Sequence, residues 1–157
     1  MWPAGPAITL ATMTTLTSTN AATVVAIYEA FARGDLAAIP DALAEDVTWE
    51  DWADNTAQNA GVAHMQRRRG PAEVAEFFAL LAEWTPEEFA VLDVIGTGRQ
   101  VVAEVRAGFT LPNGGRFVEE ELHLWTFDDT GKVVRFRHYL DTAKHIAAAR
   151  GEDTVGG

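Results

Sequence analysis

Apolar positions along this chain recur at two periods, and the switch from one to the other divides it. Val24, Ile27, Tyr28 and Phe31 stand at i, i+3, i+4 and i+7, one stripe of a helix that Asn20 can cap and Gly34 ends. Asp35 opens a short second helix carrying Leu36, Ile39 and Leu43, with Pro40 near its middle. Val47 to Trp52 has strand composition, and 53–69 is a long polar loop ending in Arg67, Arg68 and Arg69. Gly70-Pro71 starts a third helix with Val74, Phe77, Phe78 and Leu81 on its buried stripe. Beyond it the period shortens to two. Runs 88–96, 100–111, 116–127 and 132–140 read as strands, and their short connections imply an antiparallel meander. Asp141 caps a last helical segment through Ala149. Helices first and a strand meander after them define an α+β fold with the helices on one face of a curved sheet.

Two of the four histidines fall inside the last two strands. With Asp128–Gly131 as a four-residue loop, Phe127 pairs with Lys132, Trp125 with Val134, His123 with Phe136 and Glu121 with His138. Glu121, His123, Trp125 and Phe127 then share a face with Val134, Phe136 and His138. His123 and His138 become diagonal neighbours, roughly 7–8 Å apart. Two histidines and a carboxylate on an apolar face are costly to bury without a purpose. Histidine trades protons near neutral pH, so this face is a candidate acid/base site. The opposite face, with Leu122, Leu124, Arg135, Arg137 and Tyr139, suits contact with a second copy of the chain.

At 157 residues the chain is read as a disordered leader (1–19), one domain (20–149) and a flexible tail (150–157). The net charge of −11 disfavours nucleic-acid and anionic-membrane partners. The absence of cysteine removes thiolate chemistry and Cys-ligated metal and fits a cytoplasmic setting. No metal motif and no phosphate-binding glycine loop occur, so neither a metal nor any other cofactor is expected.

The segments Tyr28-Glu29-Ala30-Phe31-Ala32-Arg33-Gly34-Asp35-Leu36 and Leu43 to Asp51, with Gly70-Pro71, Phe77-Phe78, Gly131 to Val134 and Tyr139-Leu140-Asp141, resemble the nuclear transport factor 2-like superfamily. Within it they are similar to the ketosteroid isomerase-related and SnoaL-like polyketide cyclase branch. The resemblance covers about residues 20–145. It implies a cone of three helices on the concave face of a strongly bent sheet, a pocket between them, and a homodimer. The family's base aspartate falls on Asp51, which alternation from Val47 and Trp49 puts on the inner face. Its protonated aspartate falls on His123, and the aspartate three residues before the strand-ending one falls on His138. The family's helix tyrosine falls on Ile27, with Tyr28 beside it. The epoxide hydrolase arginine–aspartate pair has no equivalent, since Glu104 and Arg106 lack that arrangement.

These readings converge on a cofactor-independent enzyme that moves protons next to a carbonyl of a small apolar, polyketide-, steroid- or terpenoid-like molecule. Isomerisation, aldol-type cyclisation and dehydration are the reaction classes. Asp51, His123 and His138 are the candidate catalytic residues; Tyr28, Trp49, Glu121, Trp125 and Phe136 are the candidate pocket residues. The alternative is a non-catalytic binding module on the same cone.

Overall fold

The computed structural model describes Thr9–Leu10, Thr19–Gly96 and Gly98–Gly156. Its elements are β1 (Thr9–Leu10), α1 (Thr19–Ala32), a 3-10 helix (Leu36–Ala42), β2 (Leu43–Trp49), α2 (Thr56–Asn59), a 3-10 turn (Ala63–Met65), β3 (Arg68–Arg69), α3 (Gly70–Ala82), β4 (Thr85–Ile95), β5 (Gln100–Thr110), β6 (Arg116–Phe127), β7 (Val133–Tyr139) and α4 (Thr142–Ala149). The sheet runs β1-β4-β5-β6-β7-β2-β3. β4 to β7 form the antiparallel meander, and β2 joins β7 in parallel. Register shifts in β4–β5, β6–β7 and β2–β7 add bend and twist, and the sheet curls into an unclosed cone. α1 packs on β4 and β5, and α3 on β2, so Val24, Phe31, Val74 and Phe78 meet the inner side chains of the sheet.

Local chemistry explains most boundaries. Gly34 takes φ 71°, which releases the chain from α1 at little steric cost. Pro40 lacks an amide donor, and its segment is the tighter 3-10 form rather than an α-helix. Asn20 does not cap α1; its side chain donates to the Gly98 carbonyl at 3.0 Å and ties the helix to the β4–β5 turn.

Three expectations need correction. The 53–69 segment is not a plain polar loop: it holds α2, the 3-10 turn and β3, and Ala57, Val62 and Met65 are fully buried and pack with Leu140 and Ile146. The described part of the tail is pinned by a bridge between Asp153 and Arg116 and by Thr154 N–H donating to the Arg116 carbonyl. Arg116 supplies both the strand edge and a guanidinium 3.6 Å from Asp153, which explains the docking. The third concerns β6–β7. Phe127 pairs with Val133 and Thr126 with Arg135, so Val134 is an extra, bulged residue. Asp128 Oδ1 accepts from the amides of Thr130 and Lys132 and widens the turn that drives this shift. Val134 therefore leaves the inner face and Val133, fully buried, replaces it. Most of the 1–19 leader lies outside the described residues; within it Thr9 and Leu10 pair in parallel with Ala90 and Val91. No helix among the described residues is long and apolar enough to cross a membrane.

Candidate functional site

The longer turn and the bulge each move the register by one, two together, which preserves every face below them. His123 is paired directly with His138, and Trp125 with Phe136. Each takes a side-chain place over the concave face, beneath α1 and α3. Trp49 stacks on Phe136 with ring centroids 3.9 Å apart, and Trp125 meets Phe136 edge-on at 4.4 Å. These rings wall one side of a cavity of about 70 Å³, which His123, His138, Tyr28 and Glu121 also line.

Tyr28 reaches this cavity from α1. Its hydroxyl lies 2.5 Å from His123 Nδ1 and accepts from Trp125 Nε1 at 3.2 Å. His123 Nε2 lies 2.9 Å from Glu121 Oε1. A carboxylate only accepts, so Nε2 carries the imidazole proton and Nδ1 accepts from Tyr28. The result is a buried line Tyr28–His123–Glu121. Burial holds Tyr28 well above the ordinary phenol value, against the Trp125 hydrogen bond, and the charge of Glu121 adds to it. Burial also lowers His123, with the field of His138 adding to it, although Glu121 pulls the other way. For Glu121 burial acts upward, but the hydrogen bond from His123 and the surrounding imidazoles outweigh it and hold the carboxyl below its usual range.

His138, expected opposite Glu121 in the register, has Glu50 as its carboxylate partner. Glu50 is fully buried, and its Oε1 accepts from the His138 backbone amide at 2.8 Å and from Nδ1 at 2.5 Å. Its Oε2 accepts from Trp52 Nε1 at 2.6 Å. Burial alone lowers His138; the charge and hydrogen bond of Glu50 outweigh it and raise the imidazole above its ordinary value. Among the described residues, His138 Nε2 and Glu121 Oε2 have no hydrogen-bond partner. The Trp49 indole N–H is buried and unpaired as well.

Asp51 is not in this site. Alternation along β2 stops at Trp49, because Glu50 takes φ 56°, a left-handed conformation rare outside glycine. That turn swings Glu50 inward and Asp51 out, where it pairs with Arg67 at 2.9 Å on the surface. The backbone carbonyl of Asp51 is held by the Arg137 guanidinium, which lies 4.5 Å over the Trp52 ring. Among the three arginines, Arg68 is buried, with its guanidinium spent on the carbonyls of Gln66 and Ala63.

Both remaining histidines line the same cavity, which sequence reasoning missed. His64, from the 3-10 turn, places Nε2 2.7 Å from His145 Nδ1, and His145 Nε2 meets Glu119 Oε1. Burial, with the fields of His145 and His138, holds His64 well below its ordinary value. The signal for Glu119 was present: the alternation that turns Glu121 and His123 inward turns Glu119 inward too. Three histidine–glutamate pairs thus surround one aromatic cavity.

A curled α+β cone with a buried polar cluster on its concave face defines the class. A family model for the SnoaL-like domain matches residues 24–136, and the chain belongs to that family, within the nuclear transport factor 2-like superfamily. An NTF2-like protein of unknown function from Burkholderia pseudomallei is 30% identical, with a TM-score of 0.68 over 85% of this chain and 98% of its own. An NTF2-like protein from Burkholderia thailandensis is 26% identical, with a TM-score of 0.69 over 84% of this chain and 98% of its own. TerC, co-crystallised with polyporic acid, shares the fold at 23% identity and a TM-score of 0.67, over 85% of this chain and 99% of its own. No curated protein matches the chain.

Proposed function

We propose that the protein is an acid/base enzyme that abstracts and returns a proton next to the carbonyl of a small, largely apolar molecule, as an isomerase or cyclase. The observation that carries this reading is the direct pairing of His123 with His138, whose surroundings push their protonation in opposite directions. Groups driven apart in this way are suited to serve as base and acid at one pH.

In the proposed step, Tyr28 oxygen takes the carbon-bound proton while its own hydroxyl proton passes to His123 Nδ1. The imidazolium so formed faces the Glu121 carboxylate. The charge that develops on the substrate oxygen is met by His138 Nε2–H, kept charged by Glu50, and the unpaired Trp49 N–H stands as a second donor in the same wall. Return of the proton to another carbon isomerises the substrate; attack of the enolate carbon on a second carbonyl closes a ring. Glu50 thus supplies the inward carboxylate at the end of β2 that was expected of Asp51, and it serves by charging His138 rather than as the base.

The test is deuterium exchange. A small cyclic enone such as cyclopentenone, incubated with the protein in D2O, should exchange its hydrogens at carbons acidified by the carbonyl, as followed by NMR. Exchange should fall away in Tyr28→Phe and His123→Gln. Exchange at the uncatalysed rate across a panel of small ketones, with intact protein, would overturn the reading.

A second reading, binding without turnover, draws on cavity size. At about 70 Å³ the cavity is well below the roughly 300–1,000 Å³ of drug-sized pockets. A steroid-sized molecule does not fit it as it stands, so the substrate is small or enters by its reactive end. A ligand that shifts the melting temperature yet never exchanges protons would favour this second reading. The second copy expected across the outer face would meet Leu122 and Tyr139, which are paired there and exposed at 44% and 43%. Sedimentation analysis of Leu122→Glu against the parent protein tests it.

A further inference from the structure

The proton-transfer reading leaves Glu119, His145 and His64 without work. Glu119 and Glu121 are alternate residues of one strand, on one face, exposed at only 5% and 8%. One donor atom each from Glu119, Glu121 and His145 lies within 4.8 Å of the other two. Two carboxylates this close in a poorly solvated interior repel, and a cation between them relieves both. Glu121 Oε1 is occupied by His123, but Oε2 has no partner among the described residues, on a side chain that lines the cavity.

From this geometry we propose that Glu119, Glu121 and His145 bind one divalent first-row transition-metal ion at the edge of the cavity. Donors stand about 2.0–2.2 Å from such an ion, so any two lie within about 4.4 Å. The three donors lie near that limit, and the ion takes the place of the proton now between His145 and Glu119, whose side chains part to admit it. One imidazole and two carboxylates suit zinc, manganese, cobalt or iron(II), and three protein donors leave positions open toward the cavity.

The surroundings are those of a held metal ligand. His145 Nδ1 already faces His64 Nε2, and Glu119 Oε2 accepts from the Asp141 amide at 3.0 Å. On loading, the His145 Nε2 proton gives way to the ion. His145 then carries its proton on Nδ1 and donates to His64, which becomes the acceptor and carries its own proton on its other nitrogen. Such outer partners fix the tautomer and the ring plane of a ligating histidine. The neighbouring group Glu121, His123 and His138 also has donors within 4.8 Å of one another. It is the weaker candidate, because it holds one carboxylate and so lacks the carboxylate–carboxylate repulsion that a cation relieves.

The inference goes beyond the proton-transfer reading and does not depend on it. Protein freed of metal with a chelator is titrated with Zn²⁺ by calorimetry and with Co²⁺ by visible absorption. We expect one equivalent to bind, with ligand-field bands for Co²⁺. Glu119→Gln and His145→Gln, checked for fold by circular dichroism, should lose the site, and His64→Ala should weaken it about 10–100-fold. His138→Asn should keep it. No saturable binding by the parent protein overturns the proposal whatever the variants do. Binding that survives Glu119→Gln and His145→Gln but is lost in His138→Asn also overturns it, by moving the ion to the other group. Deuterium exchange by the chelator-treated protein reports separately on the proton-transfer reading.

Discussion

His123 and His138 face each other directly across β6 and β7, with ring centroids 4.6 Å apart and planes at 83°. The pairing works only because each ring has a different carboxylate: Glu121 for His123 and Glu50 for His138. Two imidazoles this close would otherwise depress each other's protonation. Separate partners let one stay neutral while the other carries charge.

Tyr28→Phe tests the relay. The substitution leaves His123 Nδ1 without its donor and Trp125 Nε1 without its acceptor. Loss of a positioned acid/base group should cut the exchange rate about 10²–10⁴-fold. Urea unfolding should show a cost of about 1–3 kcal/mol for the unpaired buried groups. A variant that is destabilised but exchanges at the parent rate would remove Tyr28 from the reaction.

Glu50→Gln should move the pH profile rather than simply lower it. Activity needs His123 neutral and His138 charged, so the parent profile should be bell-shaped. Its acid limb lies below the ordinary imidazole value of about 6.5 and its alkaline limb above it. The Glu50 charge and hydrogen bond are what raise His138. With glutamine in place, the imidazolium is less favoured, and the alkaline limb should shift to lower pH. An alkaline limb that stays put would dissociate His138 from the rate.

Asp51→Asn should do little. The Asp51 side chain is 43% exposed and pairs with an exposed Arg67. Such pairs contribute roughly 0–1 kcal/mol. Activity and melting temperature should match the parent within error. A large loss of turnover would restore Asp51 as the base and displace the Tyr28–His123 relay.

The elements behind these tests were unequally legible in the sequence. Strands β4 to β7 came through because a long period-2 pattern survives errors at its ends. The shared face of His123 and His138 came through despite the wrong register, since a slip of two residues keeps every side chain on its side. A slip of one would have lost the site. Glu50 was illegible because one residue at φ 56° inverts the alternation, and nothing in Trp49-Glu50-Asp51 announces a left-handed glutamate. His64 and His145 lie 81 positions apart, on a turn and a terminal helix. Only the folded chain brings them to Glu119, whose inward position β6 did announce.

The stability of the protein should peak near the ordinary imidazole value, and the reason is the sign of three shifts. His64 and His123 are lowered in the folded state, by burial first. Below about pH 6.5 the unfolded chain therefore binds protons that the folded chain refuses, and stability falls as pH falls toward the folded values. His138 is raised. Its contribution is complete below about 6.5 and is lost as pH rises through its folded value. The slopes on the two sides are thus opposite, each up to about 1.4 kcal/mol per pH unit for each proton concerned. Nearer the ordinary carboxylate value of about 4.3, Glu121, held low in the fold, adds to the acid loss. Urea unfolding from pH 5 to pH 8 measures the curve. His64→Gln should flatten its acid side and His138→Gln its alkaline side. If neither variant changes the slope on its own side, the imidazoles do not titrate as their surroundings require, and the division of protons between His123 and His138 falls with them.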